Sequence, residues 1–184
     1  MQPSKESGGM VMKAIIRVGC VVLASVFFPI EIVVAQQADM GCSPGIVSST
    51  VQTLRCEGGV TIVAENGARF TLLDRDNNGR VDSVELSSKA LLLEVPKRRG
   101  GKEFRVITPQ AIAAVRGTKW AVDAVENKTS VFVVKGRVAV GRRTGSHSVF
   151  LGPGEGVDVE AAGPLTVKHW PQARVSALMA RLGQ

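Results

Sequence analysis

Short apolar runs, each cut off by Gly, Asn, Pro or Ser, succeed one another from Val60 to Trp170, a rhythm that favours strands over helices. "VTIVA" and "ARFTLLD" are separated by "ENG", where Asn66 and Gly67 can supply the positive φ angles of a tight hairpin. "VDSVEL" and "ALLLEV" flank "SSK", and "EFRVIT" leads through Pro109 into "AIAAVRGTKWAVDAV". "ENKT", "RTGSH" and "AAGP" then turn the chain into "SVFVVKGRVAVG", "SVFLGPGEGVDV" and "LTVKHW". Strands arriving at so short an interval predict an all-β domain. The end departs from the pattern: in "PQARVSALMARL", Pro171 suits a first helical position, and Val175, Leu178, Met179 and Leu182 recur at the helical period. One amphipathic helix over 171–184 should dock its apolar stripe on the β body.

The N-terminus reads as an export signal. Lys13 and Arg17 precede an apolar segment from Val18 to Val34, and "VVA" followed by Gln36 places cleavage after Ala35. A retained anchor would carry Pro29 and Glu31 within the hydrocarbon, and an acidic residue there is costly. The signal helix should therefore occupy 1–35 and leave no stable membrane span after cleavage. A periplasmic or secreted location follows. Of the 23 basic and 16 acidic residues in the chain, the leader removes three and two, leaving 20 against 14 in the mature portion. The densest basic run, "PKRRGGKEFR", reads as a solvated loop rather than a nucleic-acid site, because Gly100 and Gly101 interrupt it.

Two cysteines remain after the leader, Cys42 and Cys56. In an oxidising compartment they are natural disulfide partners, and the loop they close would restrict the unfolded chain by about 3 kcal/mol. No His accompanies them at zinc-ligand spacing. The segment 36–57 is thus expected to be a disulfide-bearing lead-in to a β domain over 58–170.

"DRDNNGRVDSVE" is the sharpest candidate for a metal site. It has the oxygen spacing of an EF-hand calcium loop: Asp74, Asp76 and Asn78, Gly79 at the sharp turn, the carbonyl of Arg80, then Asp82 and Glu85. The flanking runs read as strands, so this is not an EF-hand proper. Either these groups surround calcium within a β-hairpin, or the Asp and Asn side chains only make turn hydrogen bonds while Arg75 and Arg80 offset their charge. The second reading is favoured, since a strand cannot easily bring Glu85 back to the loop. No other cofactor is indicated.

"FRVITPQAIAAVRGTKWAVDAV", followed by "TSVFVVKGRVAVGR" and "VFLGPGEGVDV", resembles the FecR domain, named after the ferric citrate transport regulator. The residues that match are Thr108, Pro109, Ala113, Val115, Arg116, Gly117, Thr118 and Trp120, with Gly136 and the turn at 152–156 completing the pattern. The resemblance is specific over 104–159. It implies short antiparallel strands in a roll or solenoid-like sandwich, with no catalytic apparatus. Physics gives the motif a structural role as well. Gly117 inside a strand suggests a bend or close backbone approach, and the fork of donors on Arg116 can satisfy several carbonyls, making it a fold-holding group.

Signalling members of that family carry a cytoplasmic anti-sigma segment, a membrane helix and a periplasmic domain that senses an outer-membrane receptor. Here residues 1–17 precede the apolar segment, which suits a stand-alone exported domain. The leading expectation is a non-catalytic domain that binds another envelope protein or a surface polymer in a sensing or structural role. A calcium-stabilised structural module is the alternative. A cupin-like enzyme is a third reading, since "VVKGRVAV" and "VFLGPGEGVDV" resemble half of a cupin barrel. His147 and His169 form no His-x-His pair, however, and no nucleophile motif places either in a triad. The expectation is that the protein is not an enzyme.

Overall fold

The computed structural model describes residues 40–97, 102–145 and 147–184. The expected signal peptide, its cleavage site and the centre of the basic run lie outside them. In chain order the elements are β1 (Cys42–Val47), β2 (Val51–Cys56), β3 (Val60–Glu65), β4 (Arg69–Leu73), β5 (Ser83–Val95), β6 (Phe104–Ile107) and β7 (Ala111–Val115). They continue with β8 (Thr118–Val125), β9 (Lys128–Lys135), β10 (Val138–Arg142), β11 (Ser148–Leu151), β12 (Glu155–Glu160), β13 (Lys168–His169) and α1 (Gln172–Arg181). The protein is mainly β with one short helix, as the sequence predicts. Among the described residues, no helix is long and apolar enough to cross a membrane.

The strands form two facing layers that share β5. One layer, here the covered sheet, runs β1-β2-β3-β5-β8-β9-β12-β13; the other, the bare sheet, runs β4-β5-β6-β7-β10-β11. Every pairing is antiparallel except β5 with β6. The N-terminal half of β5 pairs with β4 and β6 in the bare sheet, and the C-terminal half with β3 and β8 in the covered sheet. Between the halves Lys89 has φ 65°, which turns the strand from one layer into the other.

The same device recurs at four further crossings between the layers. Gly67 (φ 74°) lies between β3 and β4, Gly117 (76°) between β7 and β8, Gly136 (94°) between β9 and β10, and Gly154 (80°) between β11 and β12. Positive φ is nearly free for Gly and costly for other residues, so these glycines fix where the chain crosses. Two expectations are corrected here. "ENG" does not close a hairpin, because β3 and β4 do not pair with each other but with opposite halves of β5. "SSK" does not separate two strands: it is the bend inside one, and Lys89 is held there by donating to the Asn66 carbonyl at 2.5 Å.

Alternate side chains of both layers fill the space between them, with Ile62, Leu93, Trp120 and Val133 meeting Val84, Leu86, Val106 and Val138. The continuous apolar run of β5 has a separate cause. Its outward residues Ala90 and Leu92, with Ala121 and Phe132, are covered by Trp170 and by Leu178 and Leu182 at the end of the chain. Val175 and Met179 pack against the same cluster, so the predicted helical stripe is the docking face. Pro171 stands one position earlier than expected, at the N-cap (φ −59°, ψ 144°), because its extended conformation precedes the first helical turn.

Candidate functional site

The loop between β4 and β5 gathers three carboxylates. Asp74 accepts from the backbone N–H of Asn78 at 3.1 Å and of Gly79 at 2.7 Å; Asn78 accepts from Arg80 N–H at 2.9 Å, and Asp82 from Arg75 N–H at 3.2 Å. Asn77 (φ 55°) and Gly79 (φ 79°) give the sharp turn these bonds require. One oxygen from each of Asp74, Asp76 and Asp82 lies within 4.8 Å of the others. Lys102 lines a cavity of about 290 Å³ together with Asp76 and donates to Asp76 Oδ2 at 2.9 Å. That hydrogen bond lowers the Asp76 pKa and raises that of Lys102, whose proton the charges of Asp82 and Asp74 also favour. Asp76 Oδ1 is buried with no hydrogen-bond partner among the described residues. Glu85 is elsewhere: it faces out from β5 opposite Thr71 and Ile107, with Arg143 at 3.6 Å. The Arg80 side chain points to Glu57 at 3.1 Å.

The motif residues are placed by packing. Thr108 is buried in the β6–β7 turn and starts a relay between layers: Ala111 N–H donates to Thr108 Oγ1 at 2.9 Å, and the Thr108 and Thr129 hydroxyls are 2.7 Å apart. Thr129 donates to Gln110 Oε1 at 2.9 Å, and Gln110 Nε2 to the Glu126 carbonyl at 3.1 Å. Each hydroxyl has one proton, so the Thr108 hydroxyl donates to Thr129. Pro109 sits in this turn without an N–H to satisfy. Thr118 donates to the Arg137 carbonyl at 3.2 Å, and Trp120 is fully buried edge-on to Phe104 with its Nε1 lacking a partner. Arg116 is exposed and lines the same cavity as Asp76 and Lys102. A disulfide joins Cys42 to Cys56, which are direct partners across β1 and β2.

Two arginines fasten α1, and neither is signalled by the sequence. Arg181 binds Glu65 (2.7 and 3.2 Å) and Asp123 (2.6 and 3.0 Å). Arg174 binds Asp158 through two nitrogens at 2.5 and 3.0 Å and lies 3.5 Å over the Trp170 ring. Burial would raise the Glu65 and Asp158 pKa values, but hydrogen bonds from Arg181 and Arg174 outweigh it, helped by Ala90 N–H at Glu65 and Ser130 at Asp158, and both end lowered. Glu65, Asp123 and Asp158 are therefore committed to holding the helix.

The opposite face of the molecule carries no helix among the described residues. Across the bare sheet, Phe150, Ala139, Ala114 and Arg105 form one cross-strand row, and Ser148, Gly141, Ile112, Ile107 and Glu85 the next. Phe150 is 62% exposed on edge strand β11, with the Arg137 guanidinium 5.8 Å from its ring. Small and apolar side chains thus form the middle of this face, and Arg105, Arg137 and Arg143 frame it. Neither His147 nor His169 enters a metal-capable group among the described residues.

Comparisons with known proteins agree with this architecture. The family model "FecR protein" matches residues 48–139, beginning before the motif block and including β2 to β5. Two crystal structures, each of a proposed anti-sigma factor from Parabacteroides distasonis, share the fold: one at 22% identity with a TM-score of 0.59, the other at 20% with 0.58. They cover 75% and 74% of this chain, which spans 64% of each of theirs. No curated protein matches.

Proposed function

The chain belongs to the FecR protein family, and from that premise we propose that it is a non-catalytic, exported sensing domain whose bare sheet binds another envelope protein. The observation that carries the reading is the asymmetry of the two outer faces. One has its apolar cluster sealed by α1, whose Arg174 and Arg181 neutralise Asp158, Glu65 and Asp123, whereas the other leaves Phe150 exposed beside Ala139, Ala114 and Ile112. An apolar middle with a charged rim is the anatomy of a protein interface. Arg143 and Arg105 have Glu85 and Glu103 at 3.6 and 4.0 Å, so it is Arg137 beside Phe150 that suits a partner with an acidic group next to an apolar contact. Edge strand β11 adds unpaired backbone groups on one side, which a strand of the partner could extend.

A regulatory setting is supported by the fold shared with the proposed anti-sigma factors, and an exported location by the leader and the Cys42–Cys56 disulfide. The acidic loop serves this domain as a turn closed by the Lys102 ammonium rather than by a resident calcium ion. The test is retention of envelope proteins on the immobilised protein and on its Phe150→Asp variant. A protein retained by the first and lost from the second supports the reading. A partner retained equally by both removes the bare sheet from it.

A further inference from the structure

A second charged feature lies at one end of the covered sheet, away from α1. Lys119 on β8 and Lys135 on β9 are direct cross-strand partners. Like charges so placed repel each other. Lys97, just after β5, joins them in lining a depression of about 320 Å³. Two glycines force the three together. A Cβ on Gly117 would stand 2.7 Å from Lys97 Cβ, and one on Gly136 would stand 2.7 Å from the Gly117 carbonyl. Three chain segments therefore interlock without side chains between them, and each delivers a lysine.

Charge at this place is not balanced from within. Glu94, opposite Lys119, is the one carboxylate among the described lining residues. No carboxylate of the described residues lies within 4.0 Å of any of the three ammonium groups. Three cations against one anion leave a site that a dianion would neutralise. Lysines act as point charges and are common phosphate binders in that role, and the excess of two positive charges matches a phosphate dianion better than a singly charged carboxylate.

We propose that this depression binds a soluble phosphate group, as inorganic phosphate or the end of a phosphomonoester. Lys97, Lys119 and Lys135 contact its oxygens. The bound group would relieve the Lys119–Lys135 repulsion, so binding and stability are linked.

The test titrates the isotope-labelled full chain with inorganic phosphate, and separately with pyrophosphate, at constant ionic strength set by chloride. Backbone amide shifts should saturate and cluster at Lys97, Gly117, Lys119 and Lys135. The Lys119→Gln/Lys135→Gln double variant should weaken binding by roughly tenfold or more, whereas Lys128→Gln, at the other end of β9, should leave it unchanged. Without phosphate, the double variant should unfold at the same temperature as the parent or higher, and it should lose the parent's phosphate-dependent rise. Shifts that never saturate, or that the double variant retains, overturn the proposal. So does binding to phosphatidylglycerol vesicles with no response to free phosphate, which would make the lysines a membrane contact.

Discussion

Gly156 lies directly beneath the indole of Trp170: a Cβ on Gly156 would stand 2.3 Å from the ring. The absent side chain lets Trp170 settle on the covered sheet, stacked on Phe132 with ring centroids 5.1 Å apart and capped by Arg174. Gly156→Ala should therefore lift Trp170 and weaken the seat of α1, costing about 1 to 3 kcal/mol, as overpacking does. Thermal unfolding measures the loss. An unchanged midpoint would mean that the indole can shift without consequence.

Acid should loosen the same helix. Glu65 and Asp158 ionise below their ordinary values of 4.5 and 3.8 because the folded protein favours their charged forms. Their contribution is complete above those values and is lost as pH falls through the lower folded ones. The protection of α1 amides from hydrogen exchange, taken against the free-peptide rate at each pH, should fall as pH drops below about 4.5, before that of the β layers. Arg181→Met should cost about 1 to 2 kcal/mol near neutral pH, a figure reduced because Arg181 is partly solvated, and should remove part of this acid sensitivity. If Arg181→Met leaves the acid response intact, the ion pairs do not hold the helix.

Thr108 is a sharper test of the motif. Thr108→Val keeps the shape but removes the acceptor of Ala111 N–H and the link to Thr129. Buried donors left without acceptors cost about 1 to 3 kcal/mol. Chemical denaturation should show that loss with the slope unchanged. A neutral outcome would mean that water replaces the hydroxyl.

The acidic loop separates turn from calcium site through Lys102. With Lys102 in place, excess chelator and about 10 mM calcium should give the same unfolding temperature, since a weak site of about 0.1 mM would otherwise add about 2.7 kcal/mol. Lys102→Gln leaves Asp74, Asp76 and Asp82 facing one another. That variant should be less stable than the parent and should recover with calcium. A calcium shift in the unaltered protein would restore the metal reading.

Much of the architecture was legible from local signals. Short strands and the terminal helix follow from turn chemistry and periodicity, and Gly117 inside an apolar run suggests a bend, whereas Thr108 stands out only through the family resemblance. What was not legible is which strands pair. "ENG" carries a hairpin's residues, but a long β5 offers β3 and β4 separate edges, and its bend at Lys89 is made by a residue with no special turn propensity. The functional residues of α1 were missed for a similar reason. Arg174 and Arg181 look like ordinary solvated helix charges until Asp158, Glu65 and Asp123 arrive from three distant strands. In the acidic loop, Asp74, Asp76 and Asp82 lie together in one short stretch of sequence, but nothing there signals Lys102, which comes from beyond the next strand.

The bare sheet is the centre of this account, and photo-crosslinking in living cells tests it most directly. A photoreactive residue is placed at Phe150, at Ala139 in the same row, and at Arg55 on the far layer. The account predicts one shared protein adduct from positions 150 and 139, lost when Arg105 and Arg137 are both changed to Glu, and absent from position 55. Adducts from position 55 with none from 150 or 139 would contradict it.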